Sequence, residues 1–123
     1  MFIIDNETGD MFVTQGDSGQ YPVGNIPSGK NLVLYLAIQN KNRKPIGSEM
    51  SVHTGGHSTA SIDISKTLTD LLTVPSNKET EEYYFGIKGV DPETGYEETY
   101  VIGNKGFGDL NTITVYPKKV EGE

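Results

Sequence analysis

The chain has 123 residues, no cysteine and no tryptophan, and carries 10 Lys and Arg against 17 Asp and Glu, a formal net charge of -7. That length fits one domain with an ordinary hydrophobic core. The missing cysteines exclude a disulfide framework and thiolate metal sites, and the acidic surplus argues against nucleic acid and against an anionic membrane surface as partners. No apolar run is long enough to span a membrane. The first ten residues, MFIIDNETGD, lack the basic start and long apolar stretch of a signal peptide, so the expectation is a chain that stays in the cytoplasm.

Phe2 to Asp5 and Asp10 to Gln15 are short strand candidates joined by Asn6-Glu7-Thr8-Gly9, whose glycine can close a hairpin. Gln15-Gly16-Asp17-Ser18-Gly19 reads as a bulge or tight turn. Gln20 to Val23 resumes as a strand, with Pro22 marking an edge. Leu32 to Gln39 is the most apolar strand, with Leu32, Leu34, Leu36 and Ile38 on one face and Val33, Tyr35, Ala37 and Gln39 on the other. Because both faces are mostly apolar, it belongs inside the fold, covered on each side or on one side plus a partner chain.

Lys41 to Gly47 reads as a polar connection. Ser48 to Thr54 and Ser58 to Ile64 read as a hairpin around Gly55-Gly56-His57, with Ala60, Ile62 and Ile64 facing inward. Ser65 to Leu72 is the one helix candidate, Ser65 being its N-cap, and it stops before Val74-Pro75. Glu82 to Val90 alternates Tyr83, Phe85 and Ile87 against Tyr84, Gly86 and Lys88. It turns at Asp91-Pro92-Glu93-Thr94-Gly95 and returns over Tyr96 to Ile102 as one long hairpin. Gly103 to Asp109 is a loop and Thr112 to Tyr116 a last strand with Ile113 and Val115 inward.

The pattern predicts an all-β fold: a two-layer Ig-like β-sandwich of about eight short antiparallel strands and one short helix. Residues 1–117 form a single domain and residues 118–123 a flexible charged tail. The Asp5–Gly9 and Asp91–Gly95 regions share turn chemistry and are too short to signal a repeat.

Few residue groups suggest chemistry. His53 and His57 flank a glycine turn without a third ligand nearby, so exposed turn residues describe them better than a metal site. Gly16-Asp17-Ser18-Gly19 has the look of a protease nucleophile, but no His and Asp motifs accompany it. The acidic turns lack the spacing of a calcium loop, and the glycines of Gly103 to Gly108 lack that of a phosphate loop. The expectation is therefore no enzyme, no catalytic residue, no bound metal and no cofactor. The tyrosines stand out. Tyr84, Tyr96 and Tyr100 gather on one hairpin and Tyr35 lies on the central strand, so these four are the candidates for an interface or for stacking a ligand. Cross-strand pairing in an ordinary sheet is the competing explanation.

The order of short motifs resembles a known group. Gln15-Gly16-Asp17-Ser18-Gly19 precedes a buried strand. Ile62-Asp63-Ile64-Ser65 and Leu68-Thr69-Asp70-Leu71 follow, then Tyr83-Tyr84-Phe85-Gly86-Ile87-Lys88, the Asp91 turn, Glu98-Thr99 and a closing strand. This is similar to small β-sandwich structural proteins of tailed bacteriophages and prophages, above all the N-terminal domain of baseplate upper proteins. Lys44-Pro45-Ile46-Gly47 stands where that group has an Asp-Leu-Thr-Gly turn. The resemblance implies a non-enzymatic tail or baseplate component of a virion, assembled in the host bacterial cytoplasm. It would meet other virion proteins and further copies of itself through sheet edges and loops. The alternative is a carbohydrate- or small-ligand-binding module that uses the exposed tyrosines.

Overall fold

A computed structural model describes residues 1–100 and 110–118, so the loop expected at Gly103 to Asp109, the end of the returning strand and the last five tail residues lie outside the described residues. Among the described residues, nine strands and one helix follow in the order β1 (Phe2–Ile4), β2 (Met11–Thr14), β3 (Gly19–Val23), β4 (Val33–Gln39), β5 (Pro45–His53), β6 (Ala60–Ile64), α1 (Lys66–Asp70), β7 (Glu81–Val90), β8 (Glu97–Tyr100) and β9 (Asn111–Tyr116). The fold is the expected Ig-like sandwich. A seven-stranded sheet runs β1-β2-β9-β7-β4-β5, with β8 also paired to β7, and a two-stranded sheet pairs β3 with β6.

The two layers close on the residues the alternation marks. Leu34, Leu36 and Ile38 of β4, Phe85 and Ile87 of β7, and Ile113 and Val115 of β9 point inward from the large sheet. Tyr21 and Val23 of β3 and Ile62 and Ile64 of β6 meet them from the small one. The Tyr21 and Phe85 rings touch edge to face across the layers, 5.3 Å between centroids. The Ser65 side chain caps α1 by accepting from Leu68 N at 3.1 Å, and Leu68 and Leu72 plug the core from that end.

The two turns that look alike are built alike. Gly9 N donates to Asp5 O and Gly95 N to Asp91 O, both at 2.8 Å, and each glycine has a positive φ, 78° and 76°. The Asp5 side chain accepts from Glu7 N and that of Asp91 from Glu93 N. Each carboxylate thus holds its own backbone turn.

Three pairings differ from expectation. β2 and β9 run parallel, so the large sheet is mixed and not wholly antiparallel. Only half of β7 belongs to the long hairpin: Ile87 to Val90 pair with β8, whereas Glu81 to Phe85 pair with β9. The expected hairpin of β5 and β6 is absent as a ladder, because β5 joins β4 in one sheet and β6 joins β3 in the other. β5 also begins at Pro45, inside the segment read as a polar connection. A chain that crosses between layers reads locally like one that turns back, since both need the same glycine-rich link.

Candidate protein-binding surface

The longest sheet edge among the described residues is β5. Its inner-face residues Ile46, Met50 and Val52 pack against the core opposite Ile38, Leu36 and Leu34. Between Ile46 and Met50 the strand bulges, with Gly47, Ser48 and Glu49 opposite Ala37 alone. Gly47 takes a φ of 66°, and a side chain there would strike Leu68 Cδ1 at 2.9 Å. The end of α1, with Leu68 and the following Leu71, is therefore pressed against the bulged half of β5, and Leu71 remains 49% exposed there.

The other half of β5 is straight. Thr54 N donates to Leu32 O at 2.9 Å, and an antiparallel ladder alternates from such a bonded pair. The backbone groups of Val52 and Met50 accordingly face β4, and those of Ser51 and His53 face outward. Among the described residues, no strand pairs with them on that side, although β6 of the other sheet packs close to β5.

A second feature lies on the outer face of β4 and β7. Ala37 pairs directly with Gly86, flanked by Tyr35 opposite Lys88 and Gln39 opposite Tyr84. These residues line a groove of about 300 Å³, bordered by Glu49 and Thr99. Cations sit over the tyrosine rings: Lys88 Nζ lies 5.7 Å from the Tyr35 centroid, and Lys41 Nζ and Arg43 Cζ lie 4.8 and 5.7 Å from that of Tyr84. Lys41 also pairs with Glu82, which raises its pKa.

The four candidate tyrosines do not form one site. Tyr35 and Tyr84 share the groove. Tyr100 turns inward, with its ring over Gly89 and against the core, and burial, with Glu98 and Tyr96 nearby, raises its pKa. Tyr96 stands apart, 61% exposed at the turn before β8. His53 lies on the β5 edge and His57 in the turn after it. The Gly16-Asp17 turn anchors the helix, because Thr69 Oγ1 donates to Asp17 O at 2.8 Å. The small floor of Ala37 and Gly86 escaped the sequence reading. Its signal was available: a glycine on the outward phase of an otherwise well-formed strand.

No family model matches the chain and no curated protein matches its sequence. Solved structures share its fold, among them these two. One is the periplasmic chaperone SfaE, at 11% identity and a TM-score of 0.59, over 94% of this chain and 57% of that one. The other comes from the Salmonella enterica SafA pilin in complex with the SafB chaperone, at 12% identity and a TM-score of 0.58, over 98% of this chain and 58% of that one. The chain thus spans somewhat over half the length of the structures it matches.

These comparisons overturn the phage reading. These two structures are described as a periplasmic chaperone and a chaperone–pilin complex, not as tail or baseplate proteins, and no matching sequence supports a phage origin. The expected virion function, with its carbohydrate-binding alternative, and the cytoplasmic virion location fall with it. The physical reason is visible in the motifs. The Gly16-Asp17 segment anchors α1 and the Asp91–Gly95 segment closes a hairpin. Such turn chemistry recurs wherever short strands must be joined, so its order marks a sandwich and not one family.

Proposed function

We propose that this chain is a non-enzymatic, chaperone-like binding protein that holds a partner protein by pairing a strand of it with the open edge of β5. The observation that carries the reading is the outward set of backbone groups at Ser51 and His53, at the end of a nine-residue edge strand. Unpaired donors and acceptors on a sheet edge are a template for a strand from another chain. Pro45 and the bulge at Gly47 to Glu49 blunt the first half of β5, which restricts pairing to Met50–His53. Leu71 supplies an exposed apolar neighbour to the edge.

The fold likeness supports the same reading, since one matching structure is that of a chaperone bound to a pilin. A protein subunit that presents a strand-forming segment is the class of partner we assign. The role sets the chain outside the cytoplasm, as the periplasmic chaperone SfaE is. The binding unit is the sandwich of residues 1–117.

The test is a photo-cross-linking residue placed at Ser51, with Asp63 on the exposed side of β6 as control, in the cells that make the protein. A discrete adduct to one partner through a strand-forming segment is expected at 51 and not at 63. Adducts at 63 alone, or at 51 only to a second copy of this chain, would overturn the proposal.

A further inference from the structure

We propose that the groove over the Ala37–Gly86 pair is a second docking site, which takes an extended acidic segment of a partner protein. It is independent of edge pairing, because it uses side chains on the sheet face and not the backbone groups of β5.

Gly86 is the starting point. It lies in the middle of β7 between the buried Phe85 and Ile87. A glycine there weakens a strand, and in a strand interior it often marks a place where another chain comes close. Its φ is not in the left-handed region, so the backbone does not require it. Among the described residues, a side-chain carbon at Gly86 would meet nothing within 4 Å, so their packing does not require it either. Gly89, three residues on, is the contrast: there the same carbon would strike the Tyr100 ring at 2.8 Å. Packing among the described residues accounts for Gly89 and gives Gly86 no such reason.

What Gly86 provides is the depth of the groove. With Ala37 across from it, the floor is low, and Tyr35 and Tyr84 stand at its two ends. From Tyr35 to Gln39, which faces Tyr84, the floor runs four residues along the strand, about 13 Å at strand spacing. That is the reach of roughly four extended residues, with a small apolar side chain seated over Gly86.

Charge selects the occupant. The chain is acidic overall at -7, yet Lys41, Arg43 and Lys88 stand over the two tyrosines of this groove. Lys41 is held by Glu82, and Lys88 lies 3.9 Å from Glu97 at an exposed position. Arg43 has no ion pair among the described residues, and its guanidinium suits a carboxylate. Glu49 lines the groove from the β5 side, so an acidic ligand would direct its charges away from it, toward Arg43 and Lys88.

The experiment measures fluorescence polarisation of a labelled hexapeptide, Val-Glu-Val-Asp-Val-Glu, and of its counterpart with Lys at each acidic position. Each is titrated with wild type, Gly86→Val, Arg43→Asn and Ser51→Pro. The acidic probe is expected to bind wild type saturably and the lysine probe at least tenfold more weakly. Gly86→Val should weaken the acidic probe at least tenfold while melting no lower than wild type. Arg43→Asn keeps a residue that tolerates the positive φ of 64° at that turn and should weaken binding several-fold. Ser51→Pro should leave the affinity unchanged. Absence of saturable binding to wild type, equal affinity in Gly86→Val, or loss of binding in Ser51→Pro would each overturn the proposal.

Discussion

The hydroxyl of Tyr21, on the small sheet, donates a 2.5 Å hydrogen bond to the carbonyl of Gly9, in the turn between β1 and β2 of the large one. This single bond ties the two layers together inside the core, where Tyr21 is 1% exposed. Tyr21→Phe leaves the Gly9 carbonyl buried without that donor and should cost ~1–3 kcal/mol, read as a lower midpoint in urea. Burial, with Asp10 close by, raises the Tyr21 pKa above its ordinary 10.0. The folded state therefore favours the neutral phenol. The stability this contributes is complete below pH 10 and is lost as pH rises above it. The alkaline loss of stability should be shallower in Tyr21→Phe than in wild type.

Leu36 is fully buried at the centre of β4. Leu36→Ala should lower stability by ~2–5 kcal/mol. Leu36→Asp places an unpaired charge there and should abolish folding. A cooperative, wild-type-like melt of Leu36→Asp would remove β4 from the centre of the fold.

Gly47 and Gly29 separate two costs. Both have positive φ, 66° and 82°, but an added side chain meets Leu68 Cδ1 at 2.9 Å at Gly47 and nothing within 4 Å at Gly29. Gly29→Ala should cost ~1–2 kcal/mol from the left-handed backbone alone. Gly47→Ala should cost more, because Leu68 must also shift. Equal costs by urea denaturation would show that the helix does not press on the bulge.

The acid side of the stability curve depends on two carboxylates. Glu81 is held below its ordinary 4.5 by the Glu82 backbone N–H and by Lys78, and Asp70 below its ordinary 3.8 by Lys66 and Lys118. Their contributions are present above those values and are lost as pH falls through the lower folded-state ones. Glu81→Gln should be less stable than wild type at pH 7 and approach it near pH 3, followed by thermal melts.

Much of the fold was legible because burial follows strand alternation. Leu34, Leu36 and Ile38, Tyr83, Phe85 and Ile87, and Ile113 with Val115 point inward as their period demands. Strand partners were less legible. Nothing local says that β7 changes partner from β9 to β8 near Phe85, or that β5 and β6 part into different layers. Of the candidate site, Tyr35 and Tyr84 were visible. Tyr100, a candidate for an interface or for stacking, folds against the core because Gly89 lacks a side chain that would block its ring. The free edge of β5 could not be read at all, since an edge is defined by what does not pair with it.

The most direct test of the central claim is amide hydrogen exchange of β5 in the isolated chain. The Met50 and Val52 amides should exchange slowly and those of Ser51 and His53 quickly, leaving an edge free to pair with a partner. Slow exchange at all four would mean that the edge is already covered, and would contradict the account.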